Sequence, residues 1–361
     1  MRIQKYPWGA ALLAGLLLCA LSGCGAEGKI SGGETSAGGT VTGESVPGEP
    51  EYRVVCTIFP LYDWTAQLLE GQEGRVELDM LLKDGSDLHS YQPTVADMVT
   101  ISQADLLIYV GGESDFWVED ALKNAGNPDL RAVRLMDGLE GYLQEEEYVE
   151  GMAGADMEVH GHEHDHEHGE GEAYDEHIWL SLKNARQSCR IIAGELSAMD
   201  EEHAEDYEAR AEAYCGLLDA LDEEYETMTA EAPYDTLVFG DRFPFRYLAE
   251  DYGLDYYAAF PGCSAETEAS FYTISFLAEK TAELELPAVL AIDGSDGKIA
   301  RTIADNTATR DQKVLVLDSM QSVDWRDVQE GENYLSVMEK NLEVLGEALG
   351  VEGRENGADS M

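Results

Sequence analysis

Arg53-Val54-Val55-Cys56-Thr57-Ile58-Phe59 is a short run of β-branched and aromatic residues closed by Pro60, and residues 61–69 follow with apolar side chains at helical spacing. The pair reads as a strand feeding a helix. The alternation then repeats: strand over 75–82, helix from after Pro93 to about Gln103, strand over 105–110, helix over 116–124, strand over 131–135. Residues 183–230 contain few breakers and keep a helical rhythm, which predicts a helix followed by a long connecting helix. A second set begins with a strand over 235–240 ending at Asp241, and a helix over 243–252. A strand over 255–260 ends at Pro261-Gly262-Cys263, and Ser264 and Thr267 are candidate caps for the next helix, which runs to about Leu284. A strand over 288–292 ends at Asp293, followed by a helix over 298–305, a strand over 313–317 and a closing helix over 334–349. Strands alternating with helices imply parallel βαβ units. The expected fold class is therefore α/β, with two parallel four-stranded domains joined by a long helix.

The first residues set the compartment. Arg2 and Lys5 precede an apolar core over 10–21 that is too short to span a bilayer, and Leu21-Ser22-Gly23-Cys24 resembles a bacterial lipobox. Residues 1–23 are expected to be a lipoprotein signal, with Cys24 lipidated so that the chain is tethered to a membrane without crossing it. Residues 24–50, rich in Gly, Ser, Thr and Glu, read as a flexible tether. The remaining segments are expected as an N-terminal domain over 51–182 carrying an acidic loop over about 145–176, connecting helices over 183–232, a C-terminal domain over 233–350 and a tail over 351–361.

A net charge of −50, from 73 acidic against 23 basic residues, argues against nucleic acid or an anionic lipid surface as partner. It suits attraction of cations. Of the six cysteines, Cys19 leaves with the signal and Cys24 is lipidated; Cys56, Cys189, Cys215 and Cys263 remain, with no CxxC spacing, either as free thiols or with one disulfide.

The acidic loop carries His160, His162, His164, His166 and His168 at every second position. Imidazoles at that density chelate Zn, Cu or Ni, and a tract so poor in apolar residues is expected to be mobile. Just beyond it, Asp175-Glu176-His177-Ile178-Trp179-Leu180 sets one histidine at the lip of an apolar segment. Ligands of parallel α/β sheets bind beyond the carboxyl ends of strands. That rule selects His89 after the second strand, His177 where the chain re-enters the fold, and Asp241 and Asp293 at strand ends of the second domain. The four meet only across an interdomain cleft, where two imidazoles and two carboxylates suit Zn²⁺ or Mn²⁺.

The lipobox, Asp84-Gly85-Ser86-Asp87-Leu88-His89 with Tyr91 and Pro93, the His-rich insert and the segment around His177 together resemble the zinc/manganese-specific solute-binding lipoproteins of bacterial ABC importers, over residues 52–349. The resemblance implies two four-stranded α/β domains on a rigid long helix, with metal between them. It carries two ligands onto His89 and His177. The family's third ligand, usually His, stands at the end of the first strand of the second domain, where this chain has Gly240 and then Asp241. Asp241 substitutes, or three protein ligands and a water suffice, or Cys263 approaches from the neighbouring loop. The fourth position, a carboxylate, falls closest to Asp293, with Asp296 as competitor.

The expected function is capture of Zn²⁺ outside the cytoplasm by a monomeric, lipid-anchored protein and its delivery to an ABC permease, the loop histidines serving as a fast, weak collector. Because capture needs deprotonated ligands, affinity should fall as pH drops through the histidine range. The competing readings are a manganese importer's binding protein, and a surface lipoprotein that buffers metal or acts in adhesion without transport. No HExxH, GxSxG or GxxxxGK[ST] motif is present, so catalysis is not expected.

Overall fold

The computed structural model describes residues 49–72, 74–153, 174–264 and 268–351. The expected signal, Cys24, most of the tether, the five loop histidines and the tail beyond 351 lie outside the described residues. Among the described residues, no helix is long and apolar enough to cross a membrane.

Two parallel four-stranded sheets form the molecule. The first lobe comprises β1 (Tyr52–Cys56), α1 (Phe59–Leu68), β2 (Val76–Met80), α2 (Val95–Gln103), β3 (Leu106–Tyr109), α3 (Phe116–Lys123) and β4 (Arg131–Arg134), with strand order β2-β1-β3-β4. Val54, Val55, Leu106, Leu107 and Ile108 are buried, as expected of central strands covered on both faces. Pro60 falls in the first turn of α1, where its missing N–H has no intrahelical partner to lose. Thr94 and Asp97 form a reciprocal capping box that starts α2.

Helix α4 (Leu182–Met199) is capped by the Ser181 hydroxyl, which accepts from Asn184 N at 3.0 Å. Helix α5 (Ala204–Glu231) has 28 residues and so extends about 42 Å. Its apolar face reaches both lobes. Tyr214 donates to Asp63 on α1 at 3.4 Å, and Tyr225 donates to the Met338 carbonyl at 2.6 Å.

The second lobe comprises β5 (Thr236–Phe243), α6 (Arg246–Tyr252), β6 (Asp255–Pro261), α7 (Phe271–Glu283), β7 (Ala288–Ile292), α8 (Lys298–Asn306) and β8 (Lys313–Leu317), with order β6-β5-β7-β8. After them come α9 (Trp325–Gln329) and α10 (Tyr334–Ala348). Two local expectations are corrected, and one short helix was not expected. Strand β5 runs past Asp241 to Phe243, through an irregularity in its pairing with β6 between Phe239 and Arg242, and α6 starts only after Pro244. Helix α7 is capped by Ser270, whose hydroxyl accepts from Thr273 N at 3.0 Å, and starts well beyond Ser264. Helix α9 is short, and its five residues gave too little periodicity to be read.

The closing helix returns to the first lobe. Tyr334 N donates to Asp63 at 3.1 Å, and the Tyr334 ring meets Trp64 edge-on at 5.1 Å between centroids. One buried apolar cluster accordingly runs through both lobes and α5, which fixes their relative placement.

Candidate metal centre

His89 sits on a single helical turn, Leu88–Ser90, beyond the end of β2. The turn is built by Asp87, whose carboxylate accepts from His89 N at 2.9 Å. Two contacts from the second lobe hold it: Leu88 N donates to the Gln321 carbonyl at 3.2 Å, and Arg242 pairs with the Asp87 carboxylate. Desolvation of the half-buried Asp87 carboxyl raises its pKa, but that guanidinium outweighs it and holds the carboxyl below its usual range.

His177 is completely buried just before the turn Ile178–Leu180. One oxygen of Asp175 accepts from both His177 N, at 2.8 Å, and His177 Nδ1, at 2.9 Å. The Trp179 ring lies 5.2 Å from the imidazole, and its Nε1 donates to the Ser319 carbonyl at 2.9 Å. Burial pulls the His177 pKa down, but Asp175 outweighs it and the net direction is up, so a proton competes more strongly for this imidazole than for a free one.

The two imidazoles converge. His89 Nε2 and His177 Nε2 are 3.3 Å apart. Each ring is backed on its other nitrogen: His177 Nδ1 by Asp175, and His89 Nδ1 by Glu176 at 3.1 Å and by the Ser114 hydroxyl at 2.8 Å. Histidines that bind metal through one nitrogen usually donate the other N–H to a carboxylate, which fixes the tautomer and aims the free lone pair. Zn–N bonds of about 2.0–2.1 Å in a tetrahedron put two nitrogens about 3.3–3.4 Å apart. The observed separation fits that edge.

Glu176 and Cys263 complete a group of four side chains, His89, Glu176, His177 and Cys263, whose ligand atoms all lie within 4.8 Å of one another. Glu176 is held by Ser114, through its main-chain N at 2.9 Å and its hydroxyl. Its burial raises the carboxyl pKa, but the two histidines and Ser114 prevail and hold it at about 2. Gly112 makes room for it: a Cβ there would come 2.1 Å from Glu176 Oε2. Cys263 follows β6 on the turn Pro261-Gly262-Cys263, with its sulfur 3.8 Å from Glu176 Oε1. Burial first, then Glu176, Asp175, Glu146 and Glu113, push its thiol far above the usual range.

The structure brings His89 and His177 together, and the expected carboxylates lie outside their four-residue group but in the same cavity as His89. Asp241 accepts from Arg242 N at 2.9 Å, and Asp296 from Lys298 N at 2.9 Å at the start of α8. Asp293 accepts from Ser319 N at 2.6 Å, from the Ser319 hydroxyl and from the Ser322 hydroxyl at 3.1 Å, so it braces a loop. All three line an interlobe cavity of about 800 Å³ that also reaches His89, but none joins the four-membered group. Gly240 explains why no side chain projects from that point of β5, because a Cβ would lie 2.4 Å from Ala300 Cα. Glu176 was readable only as a neighbour of His177, and Ser114, distant in sequence, carried no signal of its own.

Residues 54–348 match the family described as ZnuA, zinc-uptake complex component A, periplasmic. The chain belongs to this family. A zinc-binding protein AdcA of Streptococcus pyogenes is 28% identical over 313 residues, 85% of this chain and 58% of that relative, so the chain spans under two thirds of the streptococcal protein's length. The high-affinity zinc uptake system protein ZnuA of Bacillus subtilis is 28% identical over 296 residues, 82% of this chain and 87% of that one. Among solved structures, the Zn(II)-bound AdcA of Streptococcus pneumoniae superposes with a TM-score of 0.64 at 27% identity, covering 84% of this chain and 59% of that one. The ZnuA family's two-lobed α/β architecture is the one described above.

Proposed function

We propose that this ZnuA-family chain captures Zn²⁺ between its lobes, outside the cytoplasm, and hands it to an ABC-type permease. The observation that carries the reading is the 3.3 Å approach of His89 Nε2 to His177 Nε2, with each opposite nitrogen backed by a carboxylate. Two lone pairs aimed at one point inside a protein repel unless a cation or a proton lies between them, and two imidazoles suit zinc. The AdcA and ZnuA relatives, named for zinc binding and zinc uptake, support the same cargo. His89 and His177 are the donors in this reading, and Asp175, Glu176 and Ser114 hold their rings.

Cys24 carries the lipid that keeps the protein at the outer face of the cytoplasmic membrane, and the monomer is the working form. The five histidines over 160–168 raise the local metal concentration near the cleft. Titration of the full chain with Zn²⁺ in competition with a chromophoric chelator tests the proposal. One tight equivalent is expected, retained when residues 158–171 are deleted and lost in His89→Ala or His177→Ala. Loss of the tight equivalent on deleting the loop would overturn the importer reading in favour of metal buffering.

A further inference from the structure

Resting on that reading, we infer that Cys263 is a third metal donor and that its thiolate makes the site select Zn²⁺ and other thiophilic cations over Mn²⁺. The position that the family resemblance assigns to the third ligand, after Phe239 in β5, contributes no member to the four-residue group in this chain. Gly240 has Ala300 against its Cα, Asp241 turns to a main-chain N–H, and Arg242 is committed to Asp87. The neighbouring strand supplies the substitute. Strand β6 runs parallel to β5, pairing Arg242 with Phe260 and Phe243 with Pro261, and so carries its C-terminal turn to the level where β5 would have delivered a ligand.

That turn is shaped for close approach to the imidazoles. Gly262 packs on His177 so tightly that a Cβ would stand 3.0 Å from Cε1 and 3.2 Å from Nδ1. The next side chain is Cys263, whose sulfur comes within 4.8 Å of donor atoms of His89, Glu176 and His177. The other described cysteines differ in kind: Cys56, Cys189 and Cys215 are buried free thiols outside this group, whereas Cys263 is only partly buried and faces the site. Glu176 already holds His89, and the thiol is the member of the group that the second lobe supplies. A set of two imidazoles and one thiolate suits the tetrahedral preference of Zn²⁺, whereas Mn²⁺ prefers carboxylate, carbonyl and water.

The test uses Co²⁺ as a spectroscopic stand-in for zinc on the full chain. Wild type should show a near-ultraviolet sulfur-to-cobalt charge-transfer band that saturates at the tight equivalent, is bleached by Zn²⁺ and resists Mn²⁺. Cys263→Ser should lose the band, bind zinc more weakly and let Mn²⁺ compete better. The wild-type spectrum decides the matter even if the variant folds poorly. If Co²⁺ fills a tight site that needs His177 and no sulfur band forms, or if the band survives in Cys263→Ser, Cys263 is not a donor and the histidine site stands. If Co²⁺ binding is indifferent to both His89→Ala and His177→Ala, the site itself is wrong and this inference falls with it.

Discussion

A single oxygen of Asp175 receives both the main-chain N–H and the Nδ1 of His177, at 2.8 and 2.9 Å. One carboxylate thus fixes the backbone that presents the imidazole and the rotation of the ring. Asp175→Ala should therefore lower zinc affinity by about 10- to 100-fold, the usual cost of losing a partner behind a metal-bound histidine. Chelator competition measures it, and an unchanged affinity would show that burial against Trp179 alone orients the ring.

Asp293, at the end of β7, braces a loop that bears on both histidines. Its three hydrogen bonds hold Ser319 and Ser322, and the same loop passes its Ser319 and Gln321 carbonyls to Trp179 and Leu88, neighbours of the two histidines. Asp293→Ala should cost on the order of 1–3 kcal/mol in stability, by stranding those donors, and should weaken zinc binding far less than His177→Ala does. Chemical denaturation of the metal-free chain gives the first quantity, chelator competition the second. A loss of zinc binding equal to that of His177→Ala would restore Asp293 as a ligand.

These cases mark where the sequence was readable. The βα alternation is repeated so often that the two sheets follow from apolar periodicity, and His89 and His177 stand next to local signatures, a Gly-Ser-Asp turn and an acid-flanked apolar run. Which strand-end groups converge depends on register and on side-chain direction. Asp241 sits inside β5 at a pairing irregularity, and Cys263 lies two residues beyond the end of β6, yet on paper both look alike as residues at a strand's end. Only the packing of Gly240 on Ala300 and of Gly262 on His177 separates them.

Carboxyls withdrawn from water, Asp63, Asp115, Asp251 and Asp318 among them, contribute to the response of stability to pH. Desolvation raises Asp63 and Asp251 from 3.8 to about 6, and Asp115 to about 7, against the opposing hydrogen bonds each receives. A carboxyl whose folded pKa lies above its unfolded one favours folding fully below the unfolded value, and that contribution is lost as pH rises through the folded value. The metal-free chain should gain stability as pH falls from about 8 to 5, by roughly 2 kcal/mol per carboxyl. Glu176, held at about 2, has the opposite sign, its contribution being lost as pH falls below the usual carboxylate range. Melting temperature across this window, with Asp63→Asn as the variant that flattens the curve, checks the assignment; a stability maximum above pH 7 would contradict it.

Gly240→Ala tests whether position 240 of β5 is closed to a side chain. Its Cβ would meet Ala300 Cα at 2.4 Å, Ala300 N at 2.5 Å and Ala300 Cβ at 2.8 Å. Two of those three atoms are backbone, so α8 must move as a body, at a cost of roughly 1–3 kcal/mol or more. The denaturation midpoint should fall with no change in its slope, because the surface exposed on unfolding is the same. Adding Ala300→Gly removes only the Cβ contact and leaves the backbone clash, so the double variant should recover little of the loss. Full recovery would mean that the methyl alone fills the space, in which case a ligand at this position would be excluded by one side chain and not by the seating of the helix on the sheet.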